Sequence, residues 1–220
     1  MRPLLLASAS PRRRQLLALA GWTFTTLAAN ADETPLPGEA PEAFVRRLSE
    51  LKARSAAHAA PAGALVIGSD TTVVIDGQIL NKPGDAAEAR AMLTQLRGRE
   101  HIVLTAITVL DTVTGQAFTD LARSRVPMRA YSAAELEAYV ATGDPLDKAG
   151  AYAIQHPAFQ PVDRAAFVDC FANVMGLPLC HLLRRLRRLG LDALTDLPAE
   201  CQAFIPYACP VFERLLNEPV

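Results

Sequence analysis

The 220 residues suffice for one large domain, and with 50% of them hydrophobic and 20% charged the chain can bury a substantial core. Its 22 basic residues almost balance 23 acidic ones, for a net charge of −1, which excludes the strong basic excess of a protein that grips duplex nucleic acid without specificity. No stretch reaches the ~18 apolar residues of a membrane span, and the apolar run Leu4 to Ala7 falls short of the roughly 7–15 residues of a secretory leader.

A cytoplasmic protein is therefore expected. Its cysteines, Cys170, Cys180, Cys201 and Cys209, lack C-x-x-C spacing and read as reduced thiols, with a Cys201–Cys209 bridge left open. Positive charge gathers locally, at Arg12-Arg13-Arg14, Arg46-Arg47 and Arg184-Arg185 with Arg187-Arg188.

Leu4 to Ala7 reads as a short buried strand. Ser10 and Pro11 then suit the cap and first position of a helix that runs to about Ala20, with Gly21 as its stop. From Glu39 to about His58 the spacing is helical, with Phe44, Val45, Leu48, Leu51 and Ser55 on the inward face. Lys52 lies on or beside that face, where a lysine ordinarily snorkels out along its apolar stem. Ala64 to Gly68 predicts a strand ending just before Asp70. Val73–Ile75 and Gln78–Leu80 flank Asp76-Gly77 as a hairpin.

Asp85 and Glu88 then start a helix ending at Gly98. A strand follows from His101 to Leu110, a turn at Asp111–Gly115 and a partner strand to about Arg129. Ser132 and Glu135 form a capping box for a helix to about Ala141. Asp144 to Gln155 reads as irregular or strand-like. Pro178 to Leu189 is an amphipathic helix with Leu179, Leu182, Leu183 and Leu186 inward and its arginines solvated. Residues 191–220 form a tail with little periodicity except near Phe212 to Leu216. The expected fold is α/β: one domain over residues 1–190, a mixed sheet flanked by helices, followed by the tail.

A polyphosphate is bound by cations and by backbone N–H groups at a helix N-terminus. Ser8-Ala9-Ser10-Pro11-Arg12-Arg13 assembles hydroxyls, a helix start and guanidinium groups after a buried strand, though it reads equally as a capped helix with exposed arginines. Asp70 is placed to bind Mg²⁺ or to activate water, or to cap a turn. Glu33, beside Asp32 in a polar loop, is either a second metal ligand or a solvated acid.

The blocks Leu6-Ala7-Ser8-Ala9-Ser10-Pro11-Arg12-Arg13, Gly68-Ser69-Asp70-Thr71, Lys82-Pro83, Asp147-Lys148-Ala149-Gly150-Ala151-Tyr152 and Gly176-Leu177-Pro178-Leu179 occur in one order. In that order the chain resembles the Maf family of nucleotide pyrophosphatases over residues 4–187. The resemblance implies a fold related to the inosine-triphosphate pyrophosphatases, a homodimer, and hydrolysis of a nucleoside triphosphate between its α and β phosphates with a divalent cation, Mg²⁺ or Mn²⁺. It implies Asp70 as the catalytic acid or base and a metal contact, Glu33 as a metal or water partner, and Ser8, Arg12, Arg13, Lys52 and Lys82 as residues of the phosphate cleft.

Arg12, Thr71 and Gln155 match the subgroup acting on dTTP and UTP. The subgroup acting on 7-methyl-GTP has an aromatic, an amide and an acid there. A nucleotide-binding regulator of cell division is the rival from another class. Stable nucleic-acid binding and a membrane partner are not expected. Between Gln155 and Asn173 the chain departs from the family pattern, with His156-Pro157-Ala158-Phe159 and Val168-Asp169-Cys170-Phe171 where relatives carry glycines.

Overall fold

The structure, a computed structural model, describes residues 2–218. Strands β1 (Leu4–Leu6), β2 (Phe24–Thr26), β3 (Leu65–Ile75), β4 (Gln78–Leu80), β5 (Glu100–Asp111) and β6 (Ala117–Pro127) form one sheet of order β2-β1-β3-β5-β6, with β4 beside β3. The pairs β1–β2 and β1–β3 are parallel, and those of β3 with β4 and β5 and of β5 with β6 are antiparallel. The mixed sheet follows from the two hairpin turns, of which Asp76 (φ 51°) and Gly77 (φ 76°) make the first.

Eight helices accompany the sheet among the described residues: α1 (Pro11–Ala18), α2 (Pro41–Ala57), α3 (Ala86–Leu96), α4 (Ala133–Ala141), α5 (Phe171–Val174), α6 (Leu179–Arg188), α7 (Leu197–Phe204) and α8 (Phe212–Asn217). Helix α2 lies on one face, where Phe44, Val45 and Leu48 meet Leu104 and Ala106 of β5. On the other face Leu65, Ile67 and Val73 of β3 pack with Leu16 and Leu17 of α1, Leu93 of α3 and Leu182 of α6. Capping follows the sequence: Ser10, Asp85 and Ser132 each accept a backbone N–H, and Ser132 with Glu135 completes the capping box.

Several expectations are corrected. The run that begins at Ala64 does not stop at Gly68; β3 continues through the β-branched Thr71 and Thr72 because β5 pairs with it from Leu65 to Val74. Asp70 therefore lies mid-strand. On the opposite edge β1 covers only Leu65–Ile67 and β4 only Val73–Ile75, so residues 68–72 of that edge have no strand neighbour. Leu51 is 39% exposed, and the inward face of α2 is completed by Ser49, Lys52, Ala53 and Ala56 instead.

Asp144 to Gln155 holds two 3-10 turns, Asp144–Asp147 and Ala149–Ala151, and no strand. The arginines of α6 are not all solvated. Arg184 and Arg185 retain 11% and 15% of their side-chain exposure and share Asp120, Arg185 by a two-point contact of 2.8 and 3.0 Å. Nor is the tail featureless: it carries α7, and Leu191, Leu197, Ile205 and Leu215 enter the main core.

One contact fixes the spacing between α2 and the sheet. A β-carbon at Gly68 would stand 2.1 Å from the Ser49 carbonyl oxygen and 2.7 Å from the Ala53 nitrogen. Only hydrogen fits, and the close approach carries Lys52 over β3. Gly68→Ala should destabilise the fold by about 1–3 kcal/mol or more, the usual cost of overpacking, read as a lowered midpoint in chemical denaturation. An unchanged midpoint would show that α2 can withdraw freely.

Candidate active site

The uncovered stretch of β3 forms the floor of a cleft of about 590 Å³. Ser8, Arg12, Arg13, Glu33, Lys52, Asp70, Thr71, Lys82 and Gln155 all line it. Six separate segments therefore deliver the residues singled out in the sequence to one place. Alternation along β3 sends Asp70 to the α2 side and Thr71 to the α1 side, and the gap between β1 and β4 joins the two sides.

Lys52 is the hub of the α2 side. Its Nζ lies 2.6 Å from Asp70 Oδ1 and 2.6 Å from Glu33 Oε1, and the residue is 8% exposed. It does not snorkel. Burial pushes the Asp70 carboxyl above the ordinary carboxylate range, against the pull of Lys52 and Arg13. Partial burial pushes Glu33 the same way, but the Lys52 hydrogen bond and the charges of Lys52, Lys82 and Arg13 outweigh it and hold Glu33 below its ordinary value. The two acids are thus driven apart, one toward accepting a proton and the other toward remaining an anion.

On the α1 side, Arg13 is a brace before it is a ligand. Its Nε donates to the Gly176 carbonyl (2.8 Å), Nη1 to the Ser69 carbonyl (2.8 Å) and Nη2 to Thr71 Oγ1 (3.1 Å). The Ser69 carbonyl belongs to the edge of β3 that lacks a strand partner, so a guanidinium stands in for the missing ladder bond. Ser69 Oγ donates to the same Gly176 carbonyl at 2.9 Å. Gly176 takes φ +103°, a conformation side chains rarely adopt, and a β-carbon there would meet Arg13 Nε at 3.2 Å. Ser8 Oγ accepts the Ser10 N–H at 3.1 Å, which fixes the turn into α1 and turns its N-terminus toward the cleft.

The remaining residues differ in freedom. Arg12 faces Asp147 at 3.7 Å across the cleft. Lys82 is exposed and makes no ion pair, and the Gln155 amide has no hydrogen-bond partner, both among the described residues. Lys148 was not singled out, although its Asp147-Lys148-Ala149-Gly150 block was the signal. It lines the cleft, is buried, and ties Asp147 (2.5 Å), Asp144 Oδ1 (3.0 Å) and the Asp144 carbonyl (2.6 Å) together, which holds Asp147 opposite Arg12.

As for a cation, Glu33 and Asp70 offer hard oxygen donors that already converge on a positive charge, the Lys52 ammonium. No three His, Cys, Asp or Glu side chains among the described residues are arranged to hold a metal ion. Two carboxylates nevertheless suit Mg²⁺, which completes its shell with waters and substrate phosphates.

A raised pKa means that Asp70 keeps its proton to higher pH than it does in the unfolded chain. The stability that this proton contributes is full below the unfolded value and lost as pH rises through the folded one. The base-competent carboxylate forms in that same upper window. The acidic limb of kcat/KM should therefore lie above roughly 3.9, the ordinary aspartate value. Carboxyl ¹³C NMR should titrate Asp70 above Glu33, and the reverse order would contradict this electrostatic picture.

A family model described as Maf-like protein matches residues 3–189. The chain is 45% identical over 187 residues to the dTTP/UTP pyrophosphatase of Geotalea uraniireducens, spanning 85% of this chain and 95% of that protein. It is 48% identical over 188 residues to the dTTP/UTP pyrophosphatase of Myxococcus xanthus, spanning 86% and 93%. Among solved structures it is similar to the nucleoside-triphosphatase / dITP/XTP pyrophosphatase of Mycobacterium abscessus, at 16% identity and a TM-score of 0.45 over 99% of this chain and 100% of that one.

Proposed function

The chain belongs to the Maf-like protein family, and on that footing we propose that its cleft hydrolyses dTTP and UTP to the monophosphate and pyrophosphate. The carrying observation is the buried Asp70 held against Lys52 in a cleft that also gathers Arg12, Arg13 and Lys82. Pure nucleotide binding, as in a regulator, needs no carboxylate there: a second anion would only repel the phosphates.

Asp70 takes a proton from the attacking water, a new P–O bond forms at the α phosphorus, and the bond to the bridging oxygen breaks as pyrophosphate leaves. Lys82, which makes no ion pair among the described residues, and Arg12 meet the charge on the leaving group, and the N-terminus of α1 adds oriented N–H groups. Glu33 and Asp70 would hold Mg²⁺ or Mn²⁺, which when bound neutralises phosphate charge. No helix among the described residues is long and apolar enough to cross a membrane, and we place the reaction in the cytoplasm.

Base selection rests on Gln155. Uracil and thymine present carbonyl acceptors beside one N–H donor, which an uncommitted amide can match with its own donor and acceptor. Methylated guanine carries positive charge, which favours an aromatic face and a carboxylate. Pyrophosphate release should therefore show kcat/KM for dTTP and UTP well above that for 7-methyl-GTP, and Gln155→Glu should narrow the gap. Preference for the methylated purine would overturn the assignment.

Asp70→Asn should lower kcat by roughly 10²-fold or more, the scale of general-base loss. Lys82→Ala should weaken transition-state stabilisation while changing stability by no more than about 0.5 kcal/mol, as an exposed residue does. Wild-type kinetics in either variant would refute its role, and orthophosphate as first product would point to a different reaction.

A further inference from the structure

Uracil and thymine differ from cytosine at two neighbouring positions of one ring edge. The first two present a carbonyl acceptor beside an N3–H donor, whereas cytosine presents an amine donor beside a bare N3 acceptor. A side-chain amide reads either pattern, because a half-turn about its last bond exchanges its oxygen and its nitrogen. Gln155 has no hydrogen-bond partner among the described residues to prevent that turn. It does not by itself separate dTTP and UTP from cytosine nucleotides. A group whose proton points in one fixed direction is needed.

Thr71 is such a group. A hydroxyl carries one proton and two lone pairs. Thr71 Oγ1 receives Arg13 Nη2 at 3.1 Å and lies 3.0 Å from Thr105 Oγ1. Thr105 stands directly opposite it on β5, is fully buried and does not border the cleft. Thr105 Oγ1 also lies 3.0 Å from the Asn173 carbonyl oxygen, which has no proton to give and so takes the one on Thr105. Thr105 therefore meets Thr71 with a lone pair, and the Thr71 proton points inward to it. The opposite assignment sets the Thr105 and Asn173 oxygens lone pair to lone pair. Asn173 is itself fixed and fully buried. Its carbonyl also accepts the Gly176 N–H at 2.9 Å, and its amide donates to Ser124 Oγ at 2.9 Å and to the Val103 carbonyl at 3.3 Å.

One lone pair of Thr71 is left for the cleft, which the residue lines. The Gly176 loop leaves it uncovered, since a β-carbon at Gly176 would stand 3.3 Å from Thr71 Oγ1. Val73, Val103 and Met175 line the same cleft. Apolar walls leave little water to compensate a wrong pairing.

We propose that Thr105 is a positioning residue for base selection, holding Thr71 as a pure acceptor that takes the N3–H of uracil or thymine and rejects N3 of cytosine. The inference rests on the pyrophosphatase reading above and adds to it the exclusion of cytosine nucleotides.

The test compares kcat/KM for pyrophosphate release from UTP and CTP in wild type, Thr105→Val and Thr105→Ser. Wild type should favour UTP roughly tenfold or more, the scale of one buried group left unpaired. Valine keeps the shape of threonine but removes the acceptor, so the Thr71 proton is free to turn to the cleft. UTP and CTP should then come within about threefold of each other, because a free hydroxyl donates or accepts as the base requires. Thr105→Ser should keep the wild-type ratio. A ratio taken within one protein does not depend on how much of it is folded, and the wild-type ratio needs no variant. Wild type that uses CTP as well as UTP overturns the proposal, as does a valine variant with the wild-type ratio. Both outcomes leave the pyrophosphatase reading standing; wild type that releases pyrophosphate from neither dTTP nor UTP removes that reading and this inference together.

Discussion

One ammonium group shared by two acids organises the catalytic side of this molecule. Lys52 Nζ stands 2.6 Å from Asp70 and 2.6 Å from Glu33, and both it and Asp70 are buried. Desolvating a carboxylate and an ammonium is expensive unless each finds the other, so the pair holds α2, β3 and the loop of Glu33 in one arrangement. It also divides the acids. Asp70, the more buried, is shifted toward its neutral form, while Glu33, half open to solvent, stays an anion. Gly68 supports the whole arrangement, because only a residue without a side chain lets α2 come close enough for Lys52 to reach the strand.

The second constraint is an interrupted sheet edge. Between the short strands β1 and β4, β3 runs uncovered across residues 68–72, and an unpaired edge must find other partners. Arg13 supplies one from the α1 side by donating to the Ser69 carbonyl, and the Gly176 carbonyl holds the guanidinium in place. The gap opens a passage through the sheet at the one point where residues from both faces can meet a single ligand. A long triphosphate with a base at its far end needs such an extended site.

Much of this was legible in the residues. Capping pairs such as Asp85 with Glu88 and Ser132 with Glu135 act within one turn, so their sequence signals survive folding. The ordered blocks held Ser8, Arg12, Arg13, Asp70, Thr71 and Lys82 of the cleft, whereas Glu33, Lys52 and Gln155 lie outside them, and periodicity alone assigned Lys52 the ordinary fate of a surface lysine. The failures were of non-local origin. That β3 continues past Gly68 depends on β5, some 35 residues later, which pairs with it from Leu65 to Val74. Whether Leu51 or Ser49 points inward depends on the angle at which α2 crosses the sheet. Arg184 and Arg185 look solvated until β6 brings Asp120 beneath them.

A double-mutant cycle on the Lys52–Asp70 pair tests the central claim most directly. Groups that act as one unit lose their contribution with the first substitution, and the second then costs little more. With kcat/KM for dTTP measured for Lys52→Ala, Asp70→Asn and the double variant, the double should be no worse than the poorer single within about threefold. Losses that multiply independently would show that the two residues act separately, and that the shared ammonium is not what the site is built around.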